Sequence, residues 1–162
     1  MANVALALGL NVAISSRSGR LPTGHPHEGN PNVRVLPLDD LLKESDFVSV
    51  HCPLNDETRG SIDGEKMRLM KPTAFLINTA RGAIINEQEL IECMKEKVIA
   101  GAGLDVQEVE PPASDSELWN TPNVVLTPHI GWRSVETRQR VMDMVAGNIE
   151  AFIEGNPTNV VN

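Results

Sequence analysis

Aromatic and basic residues are scarce in this 162-residue chain. Tyrosine is absent, aromatic residues make up only 3% of the chain, and 14 basic side chains face 22 acidic ones for a formal net charge of −8. Single-stranded nucleic acid is held largely by bases stacking on aromatic rings, and nucleic acids and anionic membranes both require a basic protein surface. We therefore expect neither nucleic acid nor a membrane among the partners of the chain.

Long apolar runs and clustered metal ligands are lacking as well. No stretch approaches the roughly 20 apolar residues of a membrane span, and the first residues carry no signal-peptide pattern. Cys52 and Cys93 are the only cysteines and occupy no metal or redox spacing, while His25 and His27 have no third ligand at a suitable spacing. These absences predict reduced thiols, no metal site and a cytoplasmic protein.

The sequence does contain a regular alternation of short apolar segments with amphipathic ones. Strands are predicted over residues 11–14, 33–36, 46–54, 73–80, 98–106 and 124–129, and helices over residues 2–8, 37–45, 63–72, 86–97 and 134–155. Such alternation favours an α/β fold with a parallel, doubly wound sheet. Because ligands of these sheets bind outside the carboxyl ends of the strands, we expect the functional residues there.

Three residues with anion-binding or acid–base chemistry follow predicted strands. Arg81 can grip a carboxylate through its planar guanidinium, Glu110 is held by the two prolines after it, and His129 can take and give a proton near neutral pH. Judged alone, each has an ordinary explanation: a surface ion pair, a solvated loop acid or a hydrogen-bonding imidazole. Together they suit general acid–base chemistry on a hydroxyl or carbonyl group beside a carboxylate.

The segments around these three residues resemble a known family. The signature stretches of the D-isomer-specific 2-hydroxyacid dehydrogenases are similar to INTARGAIINEQEL, AGAGLDVQEVEPP and NVVLTPHIGW, and the strand and loop upstream of them to SDFVSVHCPLNDETRGSI. Within the family, EPPASDSELWNTPNVVLTPHIGW, which includes Trp132, looks most like the glycerate dehydrogenases, also called hydroxypyruvate reductases. The resemblance implies a Rossmann-like, NAD(P)-binding oxidoreductase that is a homodimer.

The resemblance also implies roles for individual residues. Arg81 would bind the carboxylate and carbonyl of the substrate, His129 would protonate the carbonyl oxygen during reduction, and Glu110 would hydrogen-bond His129 and keep it protonated. Asp105 would accept a hydrogen bond from the nicotinamide carboxamide. The other cofactor contacts that the resemblance implies, alongside Arg81 and His129, are Cys52, Pro53, Thr58, Ala80 and Gly131.

One departure from the family is the lack of a G-x-G-x-x-G pattern. In the family this loop lies between the first strand and the first helix, where its N–H groups receive the pyrophosphate. We therefore expect residues 1–162 to form a single, incomplete dinucleotide-binding domain, truncated at its N-terminus. The first strand, the glycine-rich loop and the N-terminal substrate lobe would lie upstream, and the chain by itself would have weak activity or none.

A second departure concerns the end of the strand over residues 11–14. NAD-dependent members place an acid after this strand to bind the ribose hydroxyls, whereas this chain has Ser16 followed by Arg17. A neutral residue and an arginine suit a 2′-phosphate, so NADP is favoured over NAD. The alternative is an exposed loop arginine without a cofactor role.

Two functions from different classes remain open at this stage. The first is a reductase of 2-keto acids, with hydroxypyruvate or glyoxylate preferred. The second is a non-enzymatic, dinucleotide-sensing scaffold similar to the corepressors that share the fold. The presence of Arg81, Glu110 and His129 does not exclude it, because such scaffolds can carry the same three residues.

Overall fold

A computed structural model of the protein describes residues 1–161. The chain divides into two compact units, Met1–Leu126 and Thr127–Asn162. The first unit contains all the described strands, and the second consists mainly of one long helix. Among residues 1–161, no helix combines the length and apolar character that crossing a bilayer demands.

The first unit is built on parallel strands, as the alternation of segments predicts. Its strands are β1 (Val12–Ile14), β2 (Val33–Val35), β3 (Phe47–Val50), β4 (Phe75–Asn78), β5 (Gly101–Leu104) and β6 (Val124–Leu126). The first two pair in one two-stranded sheet, and the others form a four-stranded sheet in the order β3-β4-β5-β6. Every described strand pair is parallel, which confirms the predicted α/β class.

Helices connect the strands and begin and end close to the predicted residues. They are α1 (Ala2–Ala7), α2 (Leu38–Glu44), α3 (Gly64–Leu69) and α4 (Glu87–Lys95) in the first unit, and α5 (Val135–Ile153) in the second. Gly9 has a φ of +78° just after α1, so the predicted glycine stop is confirmed. The predicted N-caps are also confirmed: Asn86 accepts from the Glu89 N–H and Ser134 from the Thr137 N–H, each at 3.2 Å.

The core lies between the four-stranded sheet and helices α2 to α4. Alternate residues of the strands point to this side, since Val48, Leu76 and Leu104 are buried while the residues before them are more exposed. The helices contribute apolar side chains at helical spacing, namely Leu42, Met67, Leu90, Ile91, Cys93 and Met94. This packing holds the strands in register, so that their carboxyl ends lie side by side at one edge of the sheet.

The two cysteines differ in environment, and this difference is testable. Cys93 is buried within α4, and burial raises the pKa of its thiol, whereas Cys52 is half-buried after β3. Because the thiolate is the reactive form, we expect N-ethylmaleimide at pH 8 to modify Cys52 roughly tenfold or more faster than Cys93. Peptide mass mapping after timed labelling measures both rates. Urea should bring the two rates together, and faster labelling of Cys93 in the native protein would contradict the buried position.

Candidate active site at the carboxyl edge of the sheet

The register of the sheet brings several of the predicted residues to one edge. Val50 of β3 pairs with Asn78 of β4, and Asn78 pairs with Leu104 of β5, so the three strands end side by side. The loops that leave this edge carry Cys52, Arg81 and Asp105. These three residues therefore lie after the carboxyl ends of adjacent strands, as the sequence predicts. Their roles in catalysis and cofactor binding stay predictions.

A buried amide shapes the turn that presents Arg81. Asn78 is fully buried, and its Nδ2 donates to the Arg81 carbonyl oxygen at 2.9 Å while its Oδ1 accepts from the Ala80 N–H at 3.0 Å. Its own carbonyl accepts from the Asp105 N–H at 3.0 Å. Sequence reasoning missed Asn78, although a polar residue that ends an otherwise apolar strand could have indicated it.

Arg81 is exposed, and its guanidinium hydrogen-bonds to the backbone of its own loop. Its Nη1 donates to the Ala80 carbonyl oxygen at 2.6 Å. Within the first unit, no acidic side chain forms an ion pair with it. The guanidinium therefore remains able to receive an anion in a planar, two-point arrangement.

Gly82 allows the loop after β4 to touch the loop after β5. A Cβ atom at this position would lie 1.9 Å from both the carbonyl carbon and the carbonyl oxygen of Gln107. No side chain fits such an approach, so the contact requires glycine. Because Gly82 follows Arg81 directly, this contact also fixes where the arginine leaves the sheet.

The loop after β5 is held by hydrogen bonds to acidic side chains. Glu110 Oε1 accepts from the Gln107 N–H at 3.0 Å, and Glu87 Oε2, on α4, accepts from the Glu108 N–H at 3.0 Å. The Glu110 carboxylate is therefore anchored by the backbone three residues before it, in addition to the restriction expected from the prolines. Asp105, which follows β5 directly, is buried at the edge of the sheet.

The loop after β3 contains three of the expected cofactor residues and has its own internal hydrogen bonds. Cys52 packs against the core. The Thr58 hydroxyl donates to the Pro53 carbonyl oxygen at 2.7 Å and accepts from the Asn55 N–H at 2.9 Å. Thr58 thus closes a turn, a structural role that stands beside the contact with the cofactor that the sequence predicts.

Ser16 and Arg17 follow β1 on an exposed turn. The Ser16 hydroxyl donates to the Arg20 carbonyl oxygen at 3.2 Å. Arg17 Nη2 pairs with Glu57 Oε1 at 3.0 Å, so an ion pair joins the loop after β1 to the loop after β3.

His129 and Gly131 belong to the second unit. His129 is half-buried, has a φ of +52°, and its N–H donates to the Thr127 carbonyl oxygen at 3.0 Å. A non-glycine residue in this left-handed region is uncommon, and such conformations concentrate at functional sites. Within residues 1–161, no three histidine, cysteine or acidic side chains lie together as candidate metal ligands.

Comparison with known proteins gives a consistent family assignment. Residues 1–131 match the family model described as D-isomer specific 2-hydroxyacid dehydrogenase, NAD binding domain. The chain is 41% identical over 138 residues to a hydroxypyruvate reductase of Blautia hydrogenotrophica, a match that covers 85% of this chain and 43% of the relative. Glyoxylate reductases and a glycerate dehydrogenase also occur among the relatives.

Solved structures show the same fold with either cofactor. An NADPH-dependent glyoxylate/hydroxypyruvate reductase of Sinorhizobium meliloti, in complex with NADP and sulfate, has a TM-score of 0.83 and 29% identity over 99% of this chain and 51% of its own. A D-isomer specific 2-hydroxyacid dehydrogenase of Lactobacillus delbrueckii, complexed with NAD, has a TM-score of 0.85 and 28% identity over 99% of this chain and 51% of its own. The chain spans only 40% to 43% of the length of a hydroxypyruvate reductase, a glyoxylate reductase and a glycerate dehydrogenase among these curated relatives.

The close approach at Gly82 yields a stability prediction. Gly82→Ala should destabilise the first unit by on the order of 3 kcal/mol, because the backbone of Gln107 must move to admit a methyl group. Urea unfolding followed by circular dichroism measures the loss. Gly147→Ala is the matched control: the methyl group meets open space within α5, and the variant should gain about 0.5–1 kcal/mol. Equal midpoints for Gly82→Ala and wild type would contradict the contact.

Proposed function

The chain belongs to the D-isomer-specific 2-hydroxyacid dehydrogenase family, and from that membership we propose that it reduces a 2-keto acid to the D-2-hydroxy acid. Hydroxypyruvate and glyoxylate are the preferred substrates, because several relatives carry the names of their reductases. The observation that carries the proposal is Arg81, which Asn78 presents at the carboxyl edge of the sheet without an acidic ion-pair partner in its unit. A small anionic substrate suits such an arginine.

Three residues act on the substrate in this proposal, and each has a different role. Arg81 binds the carboxylate and polarises the carbonyl oxygen. His129 gives a proton to that oxygen, and Glu110 hydrogen-bonds to the imidazole and orients it. The hydrogen bond from the Gln107 N–H to Glu110 supports this role, because it limits the motion of the carboxylate.

The donor set at the edge also fits a nicotinamide dinucleotide. Asp105 offers a buried carboxylate to the carboxamide, Cys52 and Pro53 line the adenosine side with Thr58 beside them, and Ala80 contributes through its backbone. From the family resemblance we also assign a backbone contact with the cofactor to Gly131, which belongs to the second unit. When bound, the nicotinamide supplies the hydride, and the protein orients the substrate toward it.

We propose NADP as the favoured dinucleotide and NAD as a possible one. Arg17, on the turn after β1, binds the 2′-phosphate, and Ser16 adds a hydroxyl beside it. We also propose that the protein works as a homodimer, like the family it belongs to.

Substitutions in the natural gene product that contains these residues test the catalytic assignment. We expect His129→Gln to lower kcat for hydroxypyruvate reduction by about 10²–10⁴-fold, because no acid then protonates the carbonyl oxygen. Arg81→Gln should raise KM and lower kcat together. The control is Arg68→Gln, which removes an exposed arginine paired with Glu96 at 2.7 Å and should leave both constants unchanged.

The same assay compares NADPH with NADH and glyoxylate with hydroxypyruvate. A larger kcat/KM with NADPH is the expected result. If the protein binds the dinucleotide but turns over no 2-keto acid, the proposed reductase activity is wrong. That result would favour a dinucleotide-sensing scaffold.

A second measurement concerns the 162-residue chain expressed by itself. We expect weak oxidation of NADPH or none, because the G-x-G-x-x-G pattern that receives the pyrophosphate is not among its residues. Absorbance of NADPH in the presence of hydroxypyruvate measures the rate. Robust turnover, comparable to that of the reductase relatives assayed alongside, would contradict this expectation.

A further inference from the structure

The ion pair between Arg17 and Glu57 links two loops that the proposed function assigns to one end of the cofactor. Arg17 follows β1 and Glu57 follows β3, 40 residues later in the chain, and their side-chain atoms lie 3.0 Å apart. Sequence reasoning singled out Arg17 for the 2′-phosphate and gave no role to Glu57. The structure therefore shows that the guanidinium proposed to bind the 2′-phosphate already contacts a carboxylate, that of Glu57.

Each partner of the pair is presented by a turn with its own hydrogen bonds. On one side, the hydroxyls of Ser16 and Ser18 donate to the Arg20 carbonyl oxygen at 3.2 and 2.9 Å. On the other, Asn55 Oδ1 accepts from the N–H of Glu57 at 3.0 Å. Both backbones are thus held in place, and the pair forms between two ordered turns.

The pair contributes little to the stability of the fold. The side chains of Arg17 and Glu57 are 82% and 64% exposed, and exposed ion pairs are strongly screened by water. An interaction of this kind is weak enough for a better anion to replace it. A phosphate monoester is such an anion, since it carries more charge than a carboxylate and three acceptor oxygens.

We propose that Glu57 determines cofactor specificity by competing with the 2′-phosphate of NADP for Arg17. A two-point contact of the phosphate with the guanidinium competes with the carboxylate for the Nη2 donor, and the carboxylate then stands near a group of the same charge. NADH has a hydroxyl in place of the phosphate and meets no such competition. Glu57 therefore lowers the preference for NADPH over NADH that Arg17 creates. This inference rests on the proposed assignment of Arg17 to the phosphate.

Equilibrium binding to the natural gene product tests the inference with three probes, NADPH, NADH and 2′,5′-ADP. Glu57→Gln should tighten NADPH and 2′,5′-ADP by on the order of three- to fivefold and leave NADH unchanged. The gain should shrink as the salt concentration rises, because screening weakens both the ion pair and the repulsion. The matched control is Asp56→Asn, which removes the neighbouring charge of the same loop and keeps the Arg17–Glu57 hydrogen bond.

A double variant isolates the pair. In an Arg17→Ala background, Glu57→Gln should change the affinity for 2′,5′-ADP by less than half as much as in the wild type, because the competed guanidinium is absent. An equal gain in that background, an equal gain from Asp56→Asn, unchanged NADPH affinity in Glu57→Gln, or weaker NADH binding would each overturn the inference.

Turnover of hydroxypyruvate by the same preparations separates this inference from the proposed function. If the wild type reduces the substrate and Glu57→Gln leaves the ratio of NADPH to NADH affinity unchanged, the inference fails while the proposed function stands. If no preparation turns over a 2-keto acid but Glu57→Gln shifts that ratio as expected, the proposed function fails while the role of Glu57 stands.

Discussion

The candidate site depends on one buried side chain, the amide of Asn78. Asn78 lies at the last position of a central strand, where its side chain donates to the carbonyl of Arg81 and accepts from the N–H of Ala80. Its backbone carbonyl accepts from the N–H of Asp105, the residue directly after the neighbouring strand. Burying an amide lowers the stability of the fold unless its polar atoms form hydrogen bonds. The amide of Asn78 forms them with the backbone of the turn that follows it. The turn that exposes Arg81 is therefore fixed by a buried side chain and not only by its own backbone.

The two loops at this edge constrain each other through backbone contact. Gly82 lies against Gln107 so closely that no Cβ atom fits, and the Gln107 N–H in turn donates to Glu110. The positions of the arginine and the glutamate are thus linked through two loops that leave adjacent strands. A rigid edge of this kind suits a site that must orient a small substrate.

Much of the fold follows from local patterns in the sequence. Gly9, Asn86 and Ser134 end or begin helices through contacts within a few residues, and these contacts are readable without knowledge of the tertiary structure. The parallel sheet follows from the alternation of segments, and the position of Arg81 at its carboxyl edge follows from the sheet.

Other features depend on partners that are distant in sequence. Glu57 meets Arg17 from 40 residues away, and the need for glycine at position 82 arises from Gln107 on another loop. Asn78 differs, because its partners are two and three residues away, but its burial is a property of the sheet. Such side chains look like ordinary polar residues until the tertiary structure brings their partners to them.

The exposed pair of Arg17 and Glu57 has a consequence for how the protein can evolve. Neither side chain belongs to the core, so their replacement carries a small cost in stability, whereas Asn78 and Gly82 are tied to the packing of the sheet. The two outer turns, which carry Arg17 and Glu57, can therefore change in sequence while the protein stays folded. The preference for one dinucleotide over the other can therefore change at the two outer turns with little loss of stability, whereas changes at Asn78 or Gly82 would disturb the sheet itself.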